Sequence, residues 1–130
     1  MRLLVSIIAV AALALGAAGP ALAASPDGVW ELETRDTRIQ LNVCGDGQQL
    51  CGSLVWLSDA DYNERYKPLL NKPMMERVTQ TAPNEWRGKM RLFGMSAQGT
   101  ITQVSEDQLT LKGCVLIVAC KTYQMYRFAD

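Results

Sequence analysis

Thr37-Arg38-Ile39-Gln40-Leu41-Asn42-Val43-Cys44-Gly45-Asp46-Gly47-Gln48-Gln49-Leu50-Cys51 is the stretch on which the fold turns. Ile39, Leu41 and Val43 alternate with Arg38, Gln40 and Asn42, the period-two pattern of a strand with one dry and one wet face. Gly45-Asp46-Gly47 supplies turn chemistry. A second apolar run opens at Leu50, and a cysteine stands on each side of the turn. A residue just before a hairpin turn lies opposite one just after it, within disulfide reach. The stretch therefore reads as an antiparallel hairpin clasped across its turn.

The pattern repeats outward. Segments of strand character fall at about 28–35, 37–44, 50–57, 74–81, 85–93, 99–105, 108–115 and 120–128. Turn residues separate several of them: Ala82-Pro83-Asn84, Ala97-Gln98-Gly99 and Glu106-Asp107. Cys114 and Cys120 flank five residues, as Cys44 and Cys51 flank six. Four cysteines permit three connectivities, and hairpin opposition favours Cys44–Cys51 with Cys114–Cys120. Loops this short stabilise by roughly 2.5 kcal/mol each in the chain-entropy account. Ser58 to Lys72 breaks the rhythm. It is polar, Ser58 is placed to cap a short helix, and Pro68 is expected to end that helix near Lys67. The expected fold is all-β, an eight-stranded antiparallel up-and-down barrel with two hairpin disulfides and one crossing loop after the third strand. Closure removes exposed edges. Eight strands leave an interior that side chains just fill or that holds one small ligand, and for so short a chain a mostly filled barrel is expected.

The first residues read as a secretory signal. Arg2 gives a positive start, Leu3 to Ala18 is apolar, Gly19-Pro20 breaks the helix, and Ala21-Leu22-Ala23 offers small residues for cleavage after Ala23. The apolar run, about 16 residues, is short for a span of roughly 20. Residues 1–23 are thus expected to be a leader and 24–130 a single domain, in the periplasm or secreted, with no membrane span after signal removal. Removing the leader from 130 residues leaves 107, too few for a wide stability margin, and disulfides are the usual remedy in an oxidising compartment.

Composition narrows the chemistry. The chain carries 13 Lys and Arg against 13 Asp and Glu and has no histidine. No basic patch points to nucleic acid, and the commonest general base and metal ligand is missing. Asp59-Ala60-Asp61-Tyr62-Asn63 begins like a calcium loop, but Glu64 and Leu70 stand where an EF-hand needs Gly and Glu. Met74, Met75, Met90, Met95 and Met125 read as core filler rather than copper ligands. Glu31 and Glu33 share a strand face, as solvated pairs do. No catalytic residue, metal or cofactor is expected. Val115-Leu116-Ile117-Val118-Ala119 is a hairpin connection without Gly, Pro or Asn. It either folds over an open barrel end or presents a patch to a ligand, lipid or partner. Leu116, Ile117 and Val118 are the candidate ligand or partner surface, expected at the barrel's mouth.

Gly28-Val29-Trp30, Leu50-Cys51-Gly52, Trp86-Arg87-Gly88, Leu111-Lys112-Gly113-Cys114, Cys120 and Tyr126-Arg127 follow one another in an order that resembles the DUF2147 family of small exported bacterial proteins, whose function is not established. The middle departs from the family pattern: Asp61 and Asn63 match it and Lys67-Pro68-Leu69 is close, with Lys67 where the family tends to carry Arg, but Asn71 stands near the expected glycine. Gly28-x-Trp30 with the late Arg127 is also similar to the signature of lipocalin-type (calycin) barrels. That resemblance implies that Trp30 plugs the closed end and Arg127 packs over it, closing the barrel. A guanidinium over an indole contributes about 0.5–2 kcal/mol. The expected function is an exported, non-enzymatic binding module for a small apolar ligand. The alternative is a protein-interaction module such as an envelope inhibitor of a lytic enzyme or protease.

Overall fold

The computed structural model describes residues 25–116 and 119–129; the expected leader, Ile117 and Val118 lie outside the described residues. Eight antiparallel strands follow in chain order: β1 (Gly28–Leu32), β2 (Thr37–Cys44), β3 (Gln49–Leu57), β4 (Pro73–Ala82), β5 (Glu85–Leu92), β6 (Met95–Ser105), β7 (Gln108–Val115) and β8 (Ala119–Arg127). Each pairs with the next, and β1 pairs with β8 through Trp30 with Arg127, Glu31 with Tyr126 and Leu32 with Met125, closing the barrel. The up-and-down order puts the start of β1, the β2–β3, β4–β5 and β6–β7 turns and the end of β8 at one end. The β1–β2, β5–β6 and β7–β8 turns and the long β3–β4 crossing gather at the other.

Both disulfides form as the hairpins require. Cys44 bonds Cys51 with Cα atoms 6.0 Å apart, and Cys114 bonds Cys120 at 3.9 Å. Their registers differ. Cys114 stands directly opposite Cys120, whereas Cys44 faces Gln49 and Asn42 faces Cys51, so the first bond crosses the ladder diagonally.

Two strand boundaries and the crossing segment depart from the sequence pattern, each for a local reason. β1 ends at Leu32 rather than near residue 35 because the chain turns there: the Arg35 N–H donates to Leu32 O at 2.8 Å, and Arg35 takes φ 61°. Ala97-Gln98-Gly99 is not a turn but lies inside β6. Gly99 is there because Met90 packs against it, and a Cβ at that position falls 2.2 Å from the Met90 sulfur. The turn is instead Phe93-Gly94, with φ 52° and 85°, between the paired Leu92 and Met95. Two successive positive φ values match the twist of a two-residue hairpin. In the crossing segment, Asp59–Asp61 and Lys67–Leu69 form short 3-10 turns. The Ser58 side chain caps nothing, and Pro68 lies at the start of the second turn rather than beyond its end, where its missing N–H costs nothing.

The core divides along the barrel axis. Trp30, Leu41, Leu50, Val78, Ile101, Leu109 and Met125 are completely enclosed in the half nearer the β2–β3 and β6–β7 turns. Fully burying one such aliphatic side chain stabilises by about 1.5–3 kcal/mol. Leu32, Leu54, Leu57 and Leu92, in the other half, are buried but each touches open space, at 3–8% exposure. Val43 escapes the dry face at its strand's end and is exposed, its N–H donating to Asp27 Oδ1 at 2.7 Å.

Candidate functional site

At the tightly packed end, one side chain ties the termini of the fold together. The Arg127 guanidinium lies 4.4 Å from the centroid of the Trp30 ring. It donates from Nη1 to Asp27 O (2.7 Å), from Nη2 to Ser25 O (3.0 Å) and Glu106 O (2.8 Å), and from Nε to Glu106 O (3.1 Å). A planar fork with several fixed donors suits such a cluster of carbonyls. The Trp30 indole Nε1 donates to Pro26 O at 2.8 Å, so the buried ring leaves no polar atom unmatched. This end is sealed by chain and side chain together.

The opposite end is hollow. A cavity of about 270 Å³ opens there, near the lower end of the roughly 300–1,000 Å³ typical of small-molecule pockets. Its inner wall comes from the strands: Leu32, Ile39, Leu54 and Leu57 on β1 to β3, Leu92 on β5 and Leu111 on β7. Thr37 is the one polar side chain of this wall that is buried, and its hydroxyl is committed to Asp36 Oδ1 at 3.1 Å. The roof is the crossing segment. Tyr66 and Leu69 are three apart across a 3-10 turn, whose period sets them on one side, and both line the cavity, as do Pro73 and Met74. Asn63 shapes the segment: its Oδ1 accepts from the N–H groups of Arg65 and Tyr66. The segment is tied down at both ends, by Ser58 N–H to Asp36 O (2.9 Å) and Asn71 N–H to Leu54 O (2.6 Å).

Phe93 completes the rim. Its ring meets Tyr66 edge-on at 6.1 Å and Tyr123 at 5.8 Å, so three aromatic rings link the roof, the β5–β6 turn and β8. Lys72 and Arg91 also border the cavity, and among the described residues no carboxylate does.

The residues singled out in the sequence divide between the two ends. Trp30 and Arg127 meet at the sealed end. Leu116 projects at the mouth end, 78% exposed with φ 65°, but it does not line the cavity; its neighbours Ile117 and Val118 lie outside the described residues. Glu31 pairs with Arg38 at 2.8 Å, and Glu33 Oε2 accepts from Gln124 N–H at 2.6 Å, so both carboxylates serve the barrel wall. Met75, Met90 and Met125 are core residues. Among the described residues no group of three or more His, Cys, Asp or Glu gathers to hold a metal ion, and no helix is long and apolar enough to cross a membrane.

The sequence reading does not assign Tyr66, Leu69, Met74 or Phe93 to a ligand site. The Tyr66-x-x-Leu69 spacing around Pro68 was the available signal.

A closed eight-stranded meander with one sealed and one open end is a lipocalin-like barrel, and a known structure shares this fold. The fold is similar to that of HP1028 from the human pathogen Helicobacter pylori, described as belonging to the lipocalin family. The TM-score is 0.62 at 12% sequence identity, covering 83% of this chain and 86% of that one. Residues 28–127 match the DUF2147 family, described as an uncharacterized protein conserved in bacteria. The chain belongs to the DUF2147 family. No curated protein matches the sequence. Two disulfides are consistent with an extracytoplasmic location.

Proposed function

We propose that this protein is a non-enzymatic binding module of the periplasm that holds a small, largely apolar ligand in the mouth cavity. The observation that carries the reading is the cavity itself. It is walled by leucines and isoleucine, roofed by Tyr66 and Leu69, and its one buried polar wall group is already hydrogen-bonded. Pockets of this kind take their affinity from apolar burial and their orientation from a few polar groups. The disulfides and the leader-like N-terminus support export. The same-face carboxylates Glu31 and Glu33 are occupied in wall contacts, which favours binding without chemistry. The alternative, an envelope inhibitor, draws on a filled barrel with a protruding loop; the hollow mouth favours the ligand.

The test is a titration of ¹⁵N-labelled protein with decanol. The amides of Leu54, Leu57, Leu92 and Phe93 should shift, and those of Leu50 and Ile101 at the sealed end should stay. Leu57→Trp fills the cavity and should remove the response while the rest of the spectrum remains folded. Shifts confined to Leu116 and its neighbours, or an equal response in Leu57→Trp, would refute the cavity as the site.

A further inference from the structure

We infer that the occupant of the mouth cavity is an amphiphile with one aliphatic tail and an anionic head, the head held by Lys72 and Arg91. This rests on the cavity reading above and adds the chemical class of the ligand. Three observations carry it. Among the described residues, every side chain that lines the cavity is uncharged except these two, and both are cationic. They also sit together: Met75 faces Met90 across the β4–β5 ladder, so Lys72, leading into β4, and Arg91, late in β5, occupy one sector of the rim. Finally, the ion pairs of the described residues leave both out.

The acidic groups near the mouth are used elsewhere or lie outside the cavity: Glu76 shares a groove on the outer wall with Arg91 but makes no ion pair with it and borders no part of the cavity. Glu64 pairs with Lys67 at 3.7 Å. Asp36 accepts from Thr34 and Thr37. Asp59 and Asp61 border no part of the cavity. Two adjacent cations at the lip of a low-dielectric hollow concentrate anions there. A carboxylate or similar oxyanion gives both of them charge-assisted hydrogen bonds, with Arg91 as a planar fork and Lys72 as a point charge. Below them the polar side chains of the lining are Thr37, whose hydroxyl is committed to Asp36, and Tyr66 in the roof, so the rest of the ligand must be largely hydrocarbon.

Volume sets the tail. The cavity of about 270 Å³ corresponds to about nine groups at the roughly 30 Å³ that a water occupies in the liquid. A tail of about nine carbons therefore fills it, with the head at the rim.

Decanoate, decanol and decylammonium, which share one tail, separate head from tail. In the same ¹⁵N titration at low ionic strength, decanoate should bind about tenfold more tightly than decanol, one charge-assisted contact's worth, and decylammonium more weakly than either. The decanoate preference should shrink with added salt. Lys72→Gln with Arg91→Gln should bring decanoate to the level of decanol and leave decanol unchanged. Both side chains are exposed, and each single substitution carries the same test at smaller size. If decanol matches decanoate in the wild-type protein, or the double variant keeps the preference, the head-group inference is overturned while the cavity stands. If neither compound shifts the mouth amides, both fall together.

Discussion

The two ends of the barrel are built from the same kinds of residue and end up doing opposite things. At one end Trp30, Leu50, Ile101, Leu109 and Met125 are all 0% exposed, and Arg127 seals the opening with hydrogen bonds to three carbonyl groups. At the other, leucines of similar number stop short of meeting, and a separate segment roofs the gap. Alternation makes the wall in both cases. What differs is whether a large ring fills the axis. Trp30 does so at one end, whereas at the other Tyr66 and Phe93 touch edge-on at 6.1 Å above a space.

The sharpest way to break that contrast is to empty the filled end. Trp30→Ala should cost about 3–5 kcal/mol, since it leaves a large void in close-packed surroundings. Leu57→Ala at the mouth should cost about 2 kcal/mol, the low end of the range for such truncations, because Leu57 already borders open space. Urea unfolding of both variants checks this, and equal costs would mean that the two halves are packed alike.

Next in size is the seal. Arg127→Ala strips the charged donors from the carbonyls of Ser25, Asp27 and Glu106 and should destabilise by about 2 kcal/mol. Melting should fall by about 4–8 °C for each kcal/mol in a domain near this size. Arg127→Lys should recover less than half of the loss, since an ammonium cannot present a planar fork. Full recovery by Lys would reduce the seal to a point charge.

The smallest effect on stability belongs to Phe93. A bulky residue at φ 52° holds about 1–3 kcal/mol of backbone strain, which Phe93→Asn relieves, and the ring contacts it forfeits are worth about 0.5–1.5 kcal/mol each. The two nearly cancel, so unfolding should move by less than about 1 kcal/mol. Exchange of decanol should quicken all the same, visible as a passage from broadened to fast-exchange amide peaks. Unchanged exchange would remove the aromatic rim from any part in holding a ligand.

Strands and staples were legible in the sequence because each is written locally. Ile39 and Leu41 alternate with polar neighbours over one turn of pleat, and Cys44 and Cys51 bracket their own hairpin. The hollow was not legible. Whether Leu54 and Leu92 touch across an axis is a matter of summed volumes from strands far apart in the chain, which period-two patterning does not encode, and so a mostly filled interior was expected. Gly99 misled for a related reason. The same lack of a side chain serves a turn or a close approach, and only the position of Met90 distinguishes them. The true turn carries Phe93 at a left-handed position that this residue type seldom takes, so nothing in its composition announced it. The crossing segment looked polar because its exposed residues outnumber the few, Tyr66, Leu69 and Leu70, that pack inward.

Arg127 has one more consequence, and it concerns direction. By holding Ser25 and Asp27 against the end of β8, with Phe128 N–H donating to Val29 O at 2.8 Å, it brings both ends of the described chain out beside the sealed base. Anything joined at either side, whether a purification handle, a fluorophore or a surface linker, leaves from the floor of the cup and points the mouth away from its attachment. Immobilised by either terminus on a sensor chip, the protein should therefore keep its opening free to solution, and grafts at the two ends should report the same binding.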